Sequence, residues 1–402
     1  MKILSRLLIA AFPLAPSAVF AAEPEIIEPE IVSTIEGNVN EPTKLTPTDE
    51  LVATLSLPPG FSIQTFARLE APRMLAFAPN GDLYVTRRAP HNDVVLLRDA
   101  DRTGTAETVR TVASIEHVHG IALRDGRAYL AAIREVYAAD VLGDGSLSDP
   151  IELYSDLPDA GQHPNRTLGF SPDGRLFLSV GSTNNAAPDP NPENATLLEL
   201  ALDGSSRSIH AHGLRNTIGF DWHPADGTLW GMDHGIDWLG DEEQSEELNI
   251  IIRGGHYGWP YVYDYREINQ RQNPEETLGL TREQFAAISI PPVAGLEPHS
   301  APMGFAFYNG AQFPTSYRHQ AFLALHGSWN RAEPKGYKVV LVTFSSNGYG
   351  VAQDFVTGFY LPDSNAQFGR PCGLAIAPDG SLFFSDDSGG AIYRVTYRGS
   401  SP

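Results

Sequence analysis

From Leu55 onward the chain repeats one pattern. An apolar stretch runs into a tight polar turn containing glycine, and a stretch of alternating apolar and polar residues follows. The pattern recurs in FAPNGDLYVT (77–86), ALRDGRAYLA (122–131), FSPDGRLFLS (170–179), WHPADGTLWGM (222–232) and IAPDGSLFFS (376–385). A period of two marks a half-buried strand. Asn or Asp before Gly tolerates the positive φ that a tight hairpin demands. Each copy therefore predicts a β-hairpin. The turn glycines Gly81, Gly126, Gly174, Gly227 and Gly380 lie 45, 48, 53 and 153 residues apart. The first three gaps match the length of a four-stranded propeller blade, and the last is about three such periods. Within it, QAFLALHGSW (320–329) predicts one more inner strand without the Asp-Gly turn. Residues 235–300 then hold long loops and an insertion, with a short helix at TREQFAAI (281–288). The expected fold is all-β: a six-bladed β-propeller with long inter-blade loops, spanning residues 51–402. A β-sandwich also has short strands and Gly-rich turns, but it lacks so regular a repeat. Long, unequal loops roof a pocket at one end of the central channel.

The first residues change the picture of where the chain works. MKILSRLLIAAFPLAPSAVFA carries Lys2 and Arg6, then an apolar run broken by Pro13 and Pro16, then small residues at Val19 and Ala21. This is the pattern of a secretory signal peptide over residues 1–21. Periplasmic or secreted localisation is the expectation, with no membrane insertion. Residues 22–50, rich in Glu, Pro and Thr, have no sustained period and predict a flexible acidic leader. The whole chain carries a formal charge of −21, and −23 once Lys2 and Arg6 are removed with the signal peptide. Such a surface repels phosphate backbones, so no nucleic acid is expected as a partner. The single cysteine, Cys372, leaves no intramolecular disulfide and excludes a covalent c-type haem, which needs two thiols. Any redox cofactor must bind without a covalent link.

Candidate chemistry gathers where the chain leads into its strands. His163 precedes the strand at Gly169-Phe170, and Arg215-Asn216 precede the one at Ile218–Trp222. In a propeller, segments leading into the innermost strands face one mouth of the channel. A base candidate should therefore meet a fixed cation and an amide there. Imidazole suits general-base work near neutrality, and guanidinium stays charged beside a developing oxyanion. After Met232 comes an acidic run (Asp233, Asp237, Asp241, Glu242, Glu243, Glu246, Glu247), either a solvated loop or a calcium loop. Further on, HSAPMGFAFYNG (299–310), HGSWNR (326–331) and GRPCGLAIAPDG (369–380) bring His299, His326, Trp329, Arg331 and Arg370. A tryptophan among arginines suits a flat polyanionic ligand.

With these segments laid out, the chain resembles the soluble quinoprotein sugar dehydrogenases, the glucose/sorbosone dehydrogenase family that uses pyrroloquinoline quinone (PQQ). The likeness runs from about Leu57 to Tyr397 and rests on QHPNRTLGFSPDGRLFLSVGS, GLRN, ELNIIIRGGHYGWP, HSAPMGFAFY, HGSWNRAEPKGYKVV and GRPCGLAIAPDGSLFFSDDSGG. HGSWNR and GRPCG place it closer to the sorbosone-dehydrogenase-like branch. The resemblance implies a six-bladed propeller with PQQ and Ca²⁺ at one mouth, a sugar substrate and an external electron acceptor. It makes His163 the general base and Arg215 the arginine beside the reactive quinone carbonyl, with Asn216 its neighbour in the cofactor site. In Asp233-His234-Gly235-Ile236 it implies that the backbone carbonyls of Gly235 and Ile236 hold calcium, with His234 in the cofactor site. Arg370 matches a cofactor-carboxylate arginine, and His299 and Trp329 fall at the cofactor. The sequence departs from the glucose enzymes in several places. Ile218 stands where they have glutamine, Ile236 where they have proline, and His299 near a threonine that contacts PQQ. The cofactor lysine has no clean counterpart, and Arg331 is the substitute expected for it. These departures argue against glucose itself and favour another aldose or a sugar-derived aldehyde. Two competing readings are a calcium-dependent propeller lactonase or esterase, and a non-enzymatic propeller binding module. The first would need side-chain carboxylates at the channel centre; the second would not need a His-Arg pair.

Overall fold

The computed structural model describes residues 37–158, 161–344 and 350–399. The expected signal peptide, and the leader as far as residue 36, lie outside them. The fold is all-β, and six antiparallel sheets of four strands make up most of it. Their first strands are Pro72–Phe77, Gly120–Arg124, Leu168–Phe170, Thr217–Trp222, Pro302–Phe307 and Pro371–Ile376. Their second strands are Leu83–Arg87, Arg127–Ala131, Leu176–Val180, Leu229–Asp233, Ala321–Leu325 and Leu382–Asp386. The sixth sheet takes its outer strand, Phe61–Arg68, from the start of the chain, paired antiparallel with Ala391–Tyr397 at its end.

The five Asp-Gly or Asn-Gly turns all join a first strand to a second, as the pattern predicts. Their glycines have φ between +71° and +93°, a region that costs glycine little. The fifth sheet differs. Its first strand is Pro302–Phe307, so Ala321–Leu325 is a second strand and not the inner one expected. A loop with a 3-10 turn at Thr315–Tyr317 replaces the tight turn, so no Asp-Gly signal marks the hairpin. The helix expected near 281–288 is present as Arg282–Ile288, where Thr281 and Gln284 form a reciprocal capping box. It lies between the third and fourth strands of the fourth sheet, Glu246–Ile250 and Ala294–Leu296.

Second strands are buried on nearly every residue rather than on alternate ones; Leu83, Tyr84 and Val85 are inaccessible. The cause is packing on both faces of each sheet. One apolar cluster (Phe66, Leu75, Leu83, Phe383) joins the sixth sheet to the first, and another (Met74, Tyr84, Ile121, Leu130) the first to the second. The remaining four interfaces are filled in the same way, ending with Phe322, Val339, Phe384 and Tyr393 between the fifth and sixth. Every sheet thus packs on the next, and the last on the first. Two separate sheets facing each other, as in a sandwich, would not give six such interfaces.

The segment expected as a free leader differs from that expectation from residue 38 onward. Thr43–Lys44 pair in parallel with Ala366–Gln367, and Thr48 caps a short helix at Asp49–Val52. No helix among the described residues is long and apolar enough to cross a membrane.

Candidate active site

In an antiparallel hairpin, the residues leading into the first strand and those leaving the second lie at the same end. The candidate site is built from such residues. His163, Arg215-Asn216, His299 and Arg370 lead into the third, fourth, fifth and sixth sheets; His234, Trp329 and Asp387 leave second strands. A cavity of ≈ 200 Å³ is lined by His163, Arg215, Asn216, His234, Gly235 and His299, with Trp329 on its wall. Trp329 also lines a second cavity of ≈ 460 Å³ that holds Arg370.

His163 is held by its Nδ1, which lies 2.8 Å from the Ser182 carbonyl oxygen and 2.9 Å from Ser182 Oγ. A carbonyl can only accept, so Nδ1 carries the hydrogen and Nε2 keeps a lone pair. Burial, and then the nearby Arg215 cation, push the imidazole down to about 3, so it is neutral at physiological pH. Close backbone approach fixes the ring from behind. A Cβ on Gly181 would lie 2.5 Å from His163 Cβ and 2.9 Å from Asn216 Oδ1, so only glycine fits there without displacing one of them.

Arg215 is 2 % exposed. Its Nε donates to the Asn185 carbonyl (2.9 Å), Nη2 to Asn185 Oδ1 (2.7 Å) and Asp237 Oδ2 (3.2 Å), and Nη1 to the His234 carbonyl (3.3 Å). One Nη1 hydrogen has no partner among the described residues. The guanidinium also lies over the Trp259 ring, 5.4 Å from its centroid. Backbone N–H groups of Arg215 and Asn216 donate to the two oxygens of Asp233, whose carboxyl burial raises to about 6. The cation is thus preset, with little rotameric freedom left to lose.

His234 Nε2 donates to the Pro302 carbonyl (2.7 Å), and burial lowers this imidazole to about 4. Both nitrogens of His299 are engaged: Nε2 donates to the Gly240 carbonyl (2.8 Å) and Nδ1 accepts from Asn330 Nδ2 (3.1 Å). His299 therefore shapes the wall without offering a free nitrogen. The N–H groups of Gly235 and Ile236 donate to Glu246 Oε2 (3.0 Å) and Gln244 Oε1 (3.1 Å). The Gly235 carbonyl accepts no hydrogen bond among the described residues, which fits oxygen ligation of a hard cation, while Ile236 opens the turn at 237–238. Ile236 lies outside the larger cavity and lines a small one of ≈ 10 Å³ behind it, with Asp233, Gln244 and Glu247. Arg370 Nε donates to the His326 carbonyl (3.1 Å) and Nη2 to the Gly327 carbonyl, and its guanidinium sits over Tyr337.

Arg331 requires a correction. It lines neither cavity: its guanidinium donates to the Asp241, Pro298 and Glu333 carbonyls and to Glu242 Oε1 (2.7 Å). Three carbonyls captured it, a force the local sequence does not advertise. Three polar wall residues were not expected as site groups: Asp237, Glu246 and Asn330. The first two sat unresolved in the acidic run, and the third inside HGSWNR. In the second cavity the unexpected residue is Lys44, together with Glu41 and Pro42.

A family model described as TrAA12-like matches residues 55–398. The chain belongs to the TrAA12-like family. A pyrroloquinoline quinone-dependent sugar dehydrogenase of Hypocrea jecorina is 25% identical over 383 residues, covering 81% of this chain and 85% of that protein. A calcium structure of the Trichoderma reesei carbohydrate-active enzyme family AA12 matches with a TM-score of 0.73 at 22% identity, over 90% of this chain and 99% of the other. The holo form of the pyranose dehydrogenase PQQ domain from Coprinopsis cinerea matches with a TM-score of 0.71 at 20% identity, over 89% and 100%. The TrAA12-like chain shares the fold of these proteins over nearly its whole described length.

Proposed function

We propose that this protein is an exported quinoprotein oxidoreductase on a six-bladed β-propeller. It oxidises an aldose or sugar-derived aldehyde by hydride transfer to PQQ and passes electrons to an external acceptor. The observation that carries this reading is the meeting of His163, Arg215 and Asn216 in one cavity that shares Trp329 with a second cavity holding Arg370. Such a pair of cavities, with an aromatic wall between them and fixed cations at both ends, suits a flat tricarboxylate. The relatives named for PQQ support the same cofactor, and the calcium structure of a fold neighbour supports Ca²⁺, for which the Gly235 and Ile236 carbonyls are the proposed ligands.

When bound, PQQ would supply an electrophilic quinone as hydride acceptor, and calcium would supply Lewis acidity. The chain supplies the rest. His163 Nε2 takes the proton of the substrate hydroxyl, while Nδ1–H against Ser182 holds the ring in that tautomer. Arg215 presents fixed positive charge where negative charge develops. Arg370 would hold a cofactor carboxylate, and Trp329 and His299 would line the cavity around it. A lactonase reading lacks support at the channel centre. The cavity of ≈ 310 Å³ between first strands is lined by Met74, Ile121, Ile218 and Met303, and its one carboxylate, Asp221, accepts from backbone N–H groups.

The test is a titration of the purified protein with PQQ, following the quinone absorbance with and without calcium. Dye reduction across aldoses and osones follows. Saturable binding with turnover on at least one sugar is expected; no binding in the presence of calcium overturns the proposal.

A further inference from the structure

The segment ahead of the first sheet strand runs along the second cavity and bonds to Trp329, which lines both. Gly37 lies flat on Trp238: a Cβ there would come within 2.7 Å of Trp238 Cε3. Asn38 Nδ2 donates to Asp241 Oδ1 (2.9 Å), and the Asn40 backbone N–H donates to the Trp329 carbonyl (2.9 Å). Asn40 Nδ2 donates to the Ala332 carbonyl, and Asn365 Nδ2 to Asn40 Oδ1, both at 2.8 Å. Thr43 and Leu45 then donate to the carbonyls of Asn365 and Gln367. The segment is therefore stitched to three stretches distant in sequence, 238–241, 329–332 and 365–367. Trp329 and Gln367 from those stretches are themselves cavity residues.

This strap brings Glu41, Pro42 and Lys44 to the wall of the cavity that holds Arg370. The other carboxylate in that wall is already paired. Asp387 is paired with Arg73 and with His326 Nε2 (2.8 Å). Burial would raise its carboxyl, but His326 and Arg73 outweigh that and hold it well below the usual range. Among the described residues the Lys44 ammonium makes no direct hydrogen bond or ion pair, though its charge reaches the buried Asp386 carboxyl, and the Glu41 carboxylate has no direct partner either. Two cations thus serve this cavity in different ways. Arg370 is clamped by carbonyls, whereas the Lys44 ammonium is a point charge on a flexible stem that can follow its ligand.

We infer that residues 37–45 form a wall of the cofactor site and that Lys44 supplies an ionic contact to a carboxylate of the bound cofactor, opposed by Glu41. The inference rests on the proposed PQQ function. It assigns to the start of the chain the cation that Arg331 does not provide.

The experiment measures the PQQ dissociation constant of the full chain by quenching of tryptophan fluorescence, without substrate, for wild type, Lys44→Gln, Lys44→Arg and Glu41→Gln. Lys44→Gln should weaken binding about fivefold at low salt, the scale of a partly exposed ion pair, and the difference should shrink in high salt. Lys44→Arg should restore affinity, and Glu41→Gln should tighten it. The trimethyl ester of PQQ, which lacks the negative charges, should bind wild type and Lys44→Gln alike. Equal PQQ affinity of wild type and Lys44→Gln overturns the inference while leaving the function standing. So does a shift of Lys44→Gln and Glu41→Gln in the same direction, which marks a structural effect. Failure of wild type to bind PQQ overturns both.

Discussion

His163 sits in an environment that keeps it neutral, and that fixes what it can do. A proton acceptor must be unprotonated before it acts, and burial beside Arg215 secures this by lowering the imidazole to about 3. The acid limb of kcat/KM should therefore lie well below the ordinary imidazole value near 6.5; a limb at about pH 6.5 in the free enzyme would assign it to another group. His163→Ala should lose about 10²-fold or more in kcat while still binding PQQ, measured by single-turnover absorbance and by titration. Gly181→Ala tests placement rather than chemistry. The added methyl has no room beside His163, so kcat should fall about tenfold or more, the scale of small displacements at reacting groups, with little change in the unfolding midpoint. That His163, Arg215 and Asn216 share one cavity was legible because Arg215-Asn216 lie directly before a strand, and His163 five residues before another, whose turns the chain marks with Asp-Gly. Lys44 was not, because a polar segment without period carries no sign that it docks. Arg331 misled because closeness to Trp329 in sequence does not fix the direction of a long side chain.

At the scale of the element, the hairpin is the unit that positions the site. Five turns were legible from Asp-Gly or Asn-Gly. The fifth sheet was misread by one strand because its turn is a loop closed from afar, where Tyr308 Oη donates to the Gly380 carbonyl (2.9 Å) and accepts from Phe313 N–H (2.8 Å). Such tertiary closure leaves no local pattern. The faces of these strands carry the stability. Phe322 is inaccessible and packs between the fifth and sixth sheets against Phe355, with ring centroids 4.7 Å apart. Phe322→Ala should cost about 3–5 kcal/mol of unfolding free energy, read from urea denaturation. The burial of second strands on both faces was also hidden, since alternation in sequence suggests one wet face; stacking on both sides comes only when neighbouring sheets pack.

For the whole molecule, acidity has an interior as well as a surface. Asp386 is buried, Oδ1 accepts from the Arg370 and Gly389 N–H groups, and Oδ2 has no partner among the described residues. Burial raises its carboxyl to about 7. The folded value lies above the unfolded one, so this group's contribution is intact below about pH 4 and is lost as pH rises through 7. Asparagine cannot ionise. Asp386→Asn should therefore gain stability relative to wild type between pH 5 and pH 8, measured by chemical unfolding at both; a constant difference would place the charge elsewhere.

The pairing of Phe61–Arg68 with Ala391–Tyr397 has a consequence in time. A ribosome emits the first partner long before the second. At ordinary synthesis speeds the early strand waits roughly 20–60 s with an unsatisfied edge. Until residues 391–397 arrive, neither the sixth sheet nor the rim that holds Arg370 can be completed, so removal of residues 383–402 should abolish PQQ binding along with the fold, read by titration and circular dichroism.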